Sequence, residues 1–250
     1  MRLPWNSDWT DGHPMKHTRS LTVLSACIVL ICVLSGVGCS TPSSSQWAPL
    51  FPKDGVPEGW SVRDWADVSR PPKEAAVWEV RSGTLHGGIP RGSWLMSDKE
   101  YSDFDLEFDF KLGERGNSGL ALRTPPAGDP AFDAVELQMA DLRYNPAAKD
   151  SELTGGIYRA IAPRQQVYRP TEWNHYRVEC RGPRIKAWLN NTLIQDVDLS
   201  HMEAEVLRHN GQPAIPLSKR PLKGRIGFQE LSRGEGSVQI RNALIRERTR

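Results

Sequence analysis

From residue 77 onward, apolar and polar side chains alternate in short runs broken by turn residues. Val77-Trp78-Glu79-Val80 leads through Ser82-Gly83 into Thr84-Leu85-His86, and Trp94-Leu95-Met96 leads toward Phe104-Asp105-Leu106-Glu107-Phe108-Asp109-Phe110. Successive side chains of a strand point to opposite faces, so Phe104, Leu106, Phe108 and Phe110 share one face and Asp105, Glu107 and Asp109 the other. That is the pattern of an antiparallel strand with one face on a core and one on water. His175-Tyr176-Arg177-Val178-Glu179-Cys180 alternates again, followed by 184–189, a hairpin turn at Asn190-Asn191, and a return strand over 193–197. Asn tolerates positive φ well enough to make such a turn, and Cys180, in phase with Tyr176 and Val178, reads as a buried thiol. Two last strands are expected at 224–229 and 238–245. No long segment has helical period. Short alternating runs separated by turn signals predict an all-β fold, a two-sheet antiparallel β-sandwich.

Three segments in the middle of the chain depart from an ordinary core pattern: Gly116-Asn117-Ser118-Gly119-Leu120-Ala121-Leu122-Arg123, Val135-Glu136-Leu137-Gln138-Met139-Ala140-Asp141 and Thr154-Gly155-Gly156-Ile157-Tyr158. Leu120, Leu122, Leu137 and Met139 belong to a core face. By alternation, Gly119, Ala121 and Arg123 point the other way, as do Glu136 and Gln138. Small residues that leave space, beside Arg, Glu and Gln that can grip a polar ligand, suggest a hydrophilic small-molecule site on a sheet, with a sugar as the candidate. The stretches 141–151 and 200–223 exceed hairpin loops in length and are expected to build its walls.

Among 250 residues the net charge is only +2, which gives no encouragement to a nucleic-acid partner. Nine tryptophans are compatible with stacking on sugar rings, although most indoles in a domain this size are expected to fill or cover core. The N-terminus reads as an export signal: Met15-Lys16-His17-Thr18-Arg19 is basic, Leu21 to Val37 is apolar, and Gly36 and Gly38 precede Cys39. Residues 1–14 fit no such pattern and read as an upstream over-extension, with Met15 as the start. Small residues before a Cys resemble a bacterial lipobox, which makes Cys39 the candidate lipidated residue and 15–39 a lipoprotein-type signal. Plain secretion or an uncleaved anchor stays open, since the apolar run is just long enough to span a bilayer. A flexible tether is expected over 40–56, and a single folded domain over 57–247. The expected location is the bacterial cell envelope, with a lipid anchor in the membrane.

The segments at 116–123, 135–141 and 154–158 are followed in order by Glu172-Trp173-Asn174, Trp188-Leu189-Asn190, Gly224-Arg225-Ile226-Gly227-Phe228-Gln229 and Ile240-Arg241-Asn242. The set resembles the 3-keto-disaccharide hydrolase domain family over roughly residues 57–247. The resemblance implies a concanavalin-like jelly roll and a hydrolase that cleaves glycosides whose sugar already carries a 3-keto group. Asn191 stands where Gly is usual and Gly156 where Ala is common, both expected to be harmless. Arg159 stands where a small residue is common, at the edge of the cleft.

A 3-keto group acidifies the proton on C2; its removal lets the C1 substituent leave, and water then adds back. That chemistry needs a base near C2, an electrophile near the keto oxygen and groups that fix the ring. Glu136 is the expected base, Arg123 the enolate stabiliser, and Tyr158 or His86 the group that assists departure. Asn117, Gln138 and Gln229 are expected to bind hydroxyls. Asp141 is expected to orient a partner or, with Glu136, to hold a divalent cation through oxygen ligands. A two-carboxylate glycosidase pairing Glu136 with Glu107 or Asp141 stays open. So do a non-catalytic carbohydrate-binding module and a structural domain whose cleft residues only make ion pairs.

Overall fold

Strands form where the alternation expects them because each has an apolar face to bury. The computed structural model describes residues 46–234 and 236–248. Thirteen strands are present among them. They are β1 (Ala48–Pro49), β2 (Trp60–Asp64), β3 (Val77–Arg81), β4 (Thr84–Ile89), β5 (Ser93–Tyr101), β6 (Phe104–Lys111) and β7 (Asn117–Thr124). After the short helix α1 (Pro130–Asp133) come β8 (Val135–Ala140), β9 (Asn174–Arg181), β10 (Arg184–Leu189), β11 (Thr192–Asp198), β12 (Gly224–Glu230) and β13 (Gln239–Glu247). All pair antiparallel in two sheets. The larger runs β11-β10-β9-β6-β13-β4-β3, with β1 also on β13, and the smaller runs β2-β5-β12-β7-β8.

The core lies between the sheets. Phe104, Leu106, Phe108 and Phe110 of β6 are each 0% exposed, as the phase of that strand requires. Phe108 meets Tyr176 of β9 and, across the sandwich, Phe228 of β12, with ring centres 5.7 and 5.3 Å apart. On the outer face Asp105 gathers Arg181, Arg246 and Arg248, and Asp109 holds His175, Arg241 and Asn242. The outer face of β6 is therefore an ion-pair lattice rather than a bare solvated face. Cys180 is buried and its thiol is pushed up to about 12 by burial.

Two-residue hairpins form at Ser82-Gly83 and Asn190-Asn191, with all four residues at positive φ. The Glu-Trp-Asn and Trp-Leu-Asn segments owe their side chains to this end of the sheet. Asn174 is bonded to the backbone of Arg169 and Glu172, and the Asn190 amide donates to Asn174 and to the Val167 carbonyl. The tether expected over 40–56 ends sooner than that, because β1 pairs with Leu244 and Ile245 and Leu50 is buried in the core. Two apolar residues, Leu50 and Phe51, close that side of the core, Phe51 against Trp60 and Phe228. Residues 1–45, with the whole of the signal and Cys39, lie outside the described residues. Among the described residues no helix is long and apolar enough to cross a membrane.

Candidate functional site

The outward face of the smaller sheet forms the floor of a cavity of about 500 Å³. Register sets its rows: Glu136 lies opposite Ala121, Gln138 opposite Gly119, and Ala140 opposite Asn117. Asn117, Glu136, Gln138 and Gln229 all line the cavity, with Asp141 and Tyr158, so six of the eight residues expected to act are brought together. The two long loops do build the walls: Tyr144, Asn145 and Ala148 come from the first and His209 from the second.

Glu136 sits over a strand position without a side chain, since a Cβ at 119 would overlap its carboxylate. The space left by Gly119 is thus occupied by Glu136 rather than left open for ligand. Ala121, read as a second space-maker, is instead covered by Val68, Trp94 and Met96. Glu136 is 2% exposed, and its Oε1 has no hydrogen-bond partner. Burial raises its pKa well above the usual carboxylate range, with the negative charge of Asp129 acting the same way and Arg220 against it. An isolated buried carboxyl holds its proton tightly and, once ionised, is a strong base.

Asp129 is the partner that the sequence reading missed. It caps α1 by accepting from Ala131 N at 3.0 Å, and burial lifts its pKa to about 7, with Asp133 adding to the effect. Arg220 is buried among the same groups. It donates to the Ala134 carbonyl at 2.6 Å and to the Ala131 carbonyl at 3.3 Å, its Nη2 is unpartnered, and burial pulls its pKa down to about 10. Arg208 pairs with Asp133, which ties the 200–223 loop to α1.

Tyr158 shares the site through β8: its N–H donates to the Glu136 carbonyl at 3.0 Å. Burial first, then the charge of Glu136, raises its phenol pKa, so it stays a donor at neutral pH. His209 stands edge-on to Phe132 at 5.2 Å and tilted to Tyr158 at 5.9 Å, and Trp65 is 6.2 Å from it. Burial and the nearby Arg159 lower the His209 pKa, which favours neutral imidazole. Trp65 alone among the described tryptophans lines the cavity; Asp64 holds its loop by accepting from Ala66 N and Asp67 N. Gln138 spends its Oε1 on Met139 N at 3.1 Å, leaving its amide N–H groups for a ligand. Arg159 does line the edge, where it pairs with Glu152 at 2.7 Å and donates to the Leu207 carbonyl at 3.3 Å, tying the two walls together. Gly156 is less replaceable than expected, because a Cβ there would meet the backbone of Ser151.

Two of the expected site residues do not line the cavity. Between the pairs Gly227–Ala121 and Arg225–Thr124, β7 holds one residue more than β12, and Arg123 has a φ of 58°. That bulge resets the alternation. The Arg123 guanidinium leaves the cleft face and donates to the carbonyls of Ser102 and Gly182 at 2.7 and 2.6 Å and to Asp103 at 3.3 Å. His86 belongs to the other sheet, opposite Glu79 and Gln239. Glu107, also on that sheet, is opposite Arg177 and Leu244 and faces away from the cavity, so it is no partner for Glu136. Asp141 lines the cavity but its oxygens are held by Arg143 at 2.7 and 2.9 Å and by the Tyr168 hydroxyl at 3.3 Å. A carboxylate engaged in that way does not suit a cation ligand, and the described residues contain no group of three or more His, Cys, Asp or Glu able to hold a metal.

The family model for the 3-keto-alpha-glucoside-1,2-lyase-like domain matches residues 46–246. The chain belongs to this family. Among solved structures, it is similar to a "putative glycosyl hydrolase" from Parabacteroides distasonis, 28% identical, with a TM-score of 0.65 over 81% of this chain and 100% of that one. A second protein of the same description and organism is 22% identical, with a TM-score of 0.63 over 81% of this chain and 94% of that one, and shares the fold. No curated protein sequence matches. Family and neighbours support a carbohydrate-active protein, hydrolytic or binding, built as an antiparallel jelly-roll sandwich.

Proposed function

We propose that this protein is an exported hydrolase that cleaves 3-keto-glycosides by C2 proton abstraction, elimination and hydration. The observation that carries this reading is Glu136, a carboxyl enclosed by protein, without a hydrogen-bond partner for Oε1, on the floor of a sugar-sized cavity. In the first step the ionised carboxylate takes the C2 proton, and the C2–H electrons move toward the 3-keto oxygen as an enolate. In the second the carbonyl re-forms, C1=C2 is made and the C1–O bond breaks, the departing oxygen taking a proton. The departing oxygen's proton comes from water, whose hydroxide then adds at C1 while the Glu136 proton returns to C2. The Tyr158 hydroxyl and the free Gln138 amide are the donors placed to stabilise the enolate in lieu of Arg123, which is spent on backbone carbonyls. Asn117 and Gln229 fix hydroxyls, and Trp65 offers a ring face to the sugar. Asp129 couples to Glu136: two carboxyls in one desolvated site do not both ionise readily, so one is ionised while the other keeps its proton.

We also infer that Cys39 is lipidated and that the folded domain is held at the bacterial envelope membrane, from the apolar run and the Ser-rich stretch on either side of it.

Release of reducing sugar from a 3-keto disaccharide, with and without chelator, tests the activity. Glu136→Gln keeps shape and fold but cannot take a proton, and turnover should fall by about 10²–10⁴ with binding retained. Near-normal turnover in that variant removes Glu136 from the mechanism. Binding of sugars by the unmodified protein with no cleavage of any keto glycoside, divalent metal added or not, leaves a carbohydrate-binding module in its place.

A further inference from the structure

Two guanidinium groups stand at one end of the cavity with no carboxylate of the described residues within ion-pairing distance. Arg91, in the turn between β4 and β5, directs Nη2 to the Tyr144 hydroxyl at 3.4 Å. Arg233, just past β12, lies over the Tyr144 ring with its guanidinium carbon 4.5 Å from the ring centre. Both line the cavity. The other arginines around it are neutralised: Arg143 by Asp141 and Glu114, Arg159 by Glu152. No carboxylate among the described residues comes within ion-pairing distance of Arg91 or Arg233. Glu230 is the acid whose field reaches Arg91, but burial holds it toward the neutral form and both its oxygens accept backbone N–H groups, from Ser232 and Val238. Two cations gathered on one tyrosine repel each other unless an anion joins them.

Their place along the cleft follows from the register. Glu136 lies level with Ala121, and Asn117 is four residues further along β7. Arg233 N donates to the Arg115 carbonyl, two residues beyond that, and Gly92 N to the Glu230 carbonyl. The Glu136 carboxylate reaches over Gly119, so at about 3.3 Å per strand residue Asn117, at the start of β7, is roughly 7 Å further along the floor, with the turn that holds Arg233 beyond it. Asn117 lies between, and Gln138 is level with Gly119. The cationic end therefore serves a part of the ligand beyond the ring that meets Glu136.

We propose that the cleft takes an acidic glycoside, whose carboxylate or sulfate ester, on the unit beyond the reacting ring, is gripped by Arg91 and Arg233. This rests on the carbohydrate reading of the site. Guanidinium forks match the planar geometry of carboxylates and bond sulfate oxygens equally well. Tyr144 holds both forks at the wall, so less side-chain freedom is lost when the anion arrives.

Calorimetric titration with three probes tests it: a neutral disaccharide, the same disaccharide ending in glucuronate, and the same disaccharide carrying a sulfate ester on its far unit. At low salt the acidic probes should bind at least about tenfold more tightly than the neutral one, the worth of one good charge-assisted contact. The ratio should shrink at high salt and fall toward one in the Arg91→Ala/Arg233→Ala variant, with circular dichroism confirming its fold. Preference for one acidic probe alone identifies the anion as uronate or sulfate. A ratio near one in the unmodified protein, or one that survives the double substitution, overturns the proposal. If a neutral keto disaccharide is cleaved while the ratio is one, only this inference falls. If no probe binds and no keto glycoside is cleaved, the carbohydrate reading falls and this falls with it.

Discussion

Glu136 owes its position to a residue that has no side chain. Its carboxylate occupies the volume that any Cβ at 119 would take, so the strand opposite and the acid are one device. Gly119→Ala should displace the carboxylate and lower kcat by an order of magnitude or more, while a larger side chain would do so without first filling the sugar site. Near-normal kcat in a folded Gly119→Ala protein would mean that the carboxylate position does not matter. Asp129 gives a second residue-scale test, through pH. Its folded pKa of about 7 lies above the unfolded carboxyl value near 4, so the folded state holds the proton more tightly. Stability from this group is full below about pH 4 and is lost as pH rises through about 7. Asp129→Asn keeps the cap on Ala131 N, since Asn caps as well as Asp. The thermal midpoints of variant and parent should therefore coincide near pH 4 and diverge in the variant's favour toward pH 8. Removing the Asp129 charge should also shift the acid limb of kcat/KM to lower pH, because that charge helps raise Glu136. Parallel midpoint profiles would show that Asp129 titrates normally.

At the scale of elements, strand phase was legible in the sequence, and strand deviations were not. Phe108→Asp should unfold the domain, since it would place an unpaired charge among Phe110, Tyr176 and Phe228 at a cost of several kcal/mol. Parent-like melting would show that the phase of β6 is misread. Alternation alone also placed Glu136 and Gln138 on one face, and loop length alone marked the two walls. It failed at Arg123 because one extra residue in β7 is invisible in a polar-apolar pattern, and at His86 because a strand does not announce which sheet it joins. Asp129 carried a local signal that was passed over, an Asp immediately before a Pro at the start of a helical turn. Trp65, His209, Arg91 and Arg233 reach the cavity from four separate turns and loops, so only chain folding brings them together. The reassignment of Arg123 is itself testable. Arg123→Met strips the donors from two carbonyls and leaves Asp103 facing a thioether, which should cost about 3–5 kcal/mol, a drop of some 10 °C in melting for a domain of this size. KM and kcat of the molecules still folded should stay close to the parent's; a selective loss of kcat would return Arg123 to the chemistry.

At the scale of the whole molecule, the folded part and the segment ahead of it pose separate physical problems. The sandwich closes on itself by residue 48, where β1 joins β13 and Leu50 enters the core. Between Cys39 and that point the sequence is short and rich in Ser, Thr and Pro, the composition that the proposed anchoring asks of a tether. Each buried methylene of an acyl chain contributes about 0.8 kcal/mol, so a single chain binds a bilayer reversibly while several hold it firmly. On the proposed lipidation, a diacylated or triacylated Cys39 would hold the protein at the membrane surface. Cys39→Ser leaves the apolar run intact but removes the thiol that the acyl chains need. The substituted protein should lose label from radioactive palmitate and pass from the membrane pellet into the detergent-free soluble fraction or remain as an uncleaved precursor, while its purified domain keeps parent kinetics on a soluble keto disaccharide. Fatty-acid label that persists in Cys39→Ser would put the anchor elsewhere, and release of unlabelled mature protein from the parent sequence would mean simple secretion.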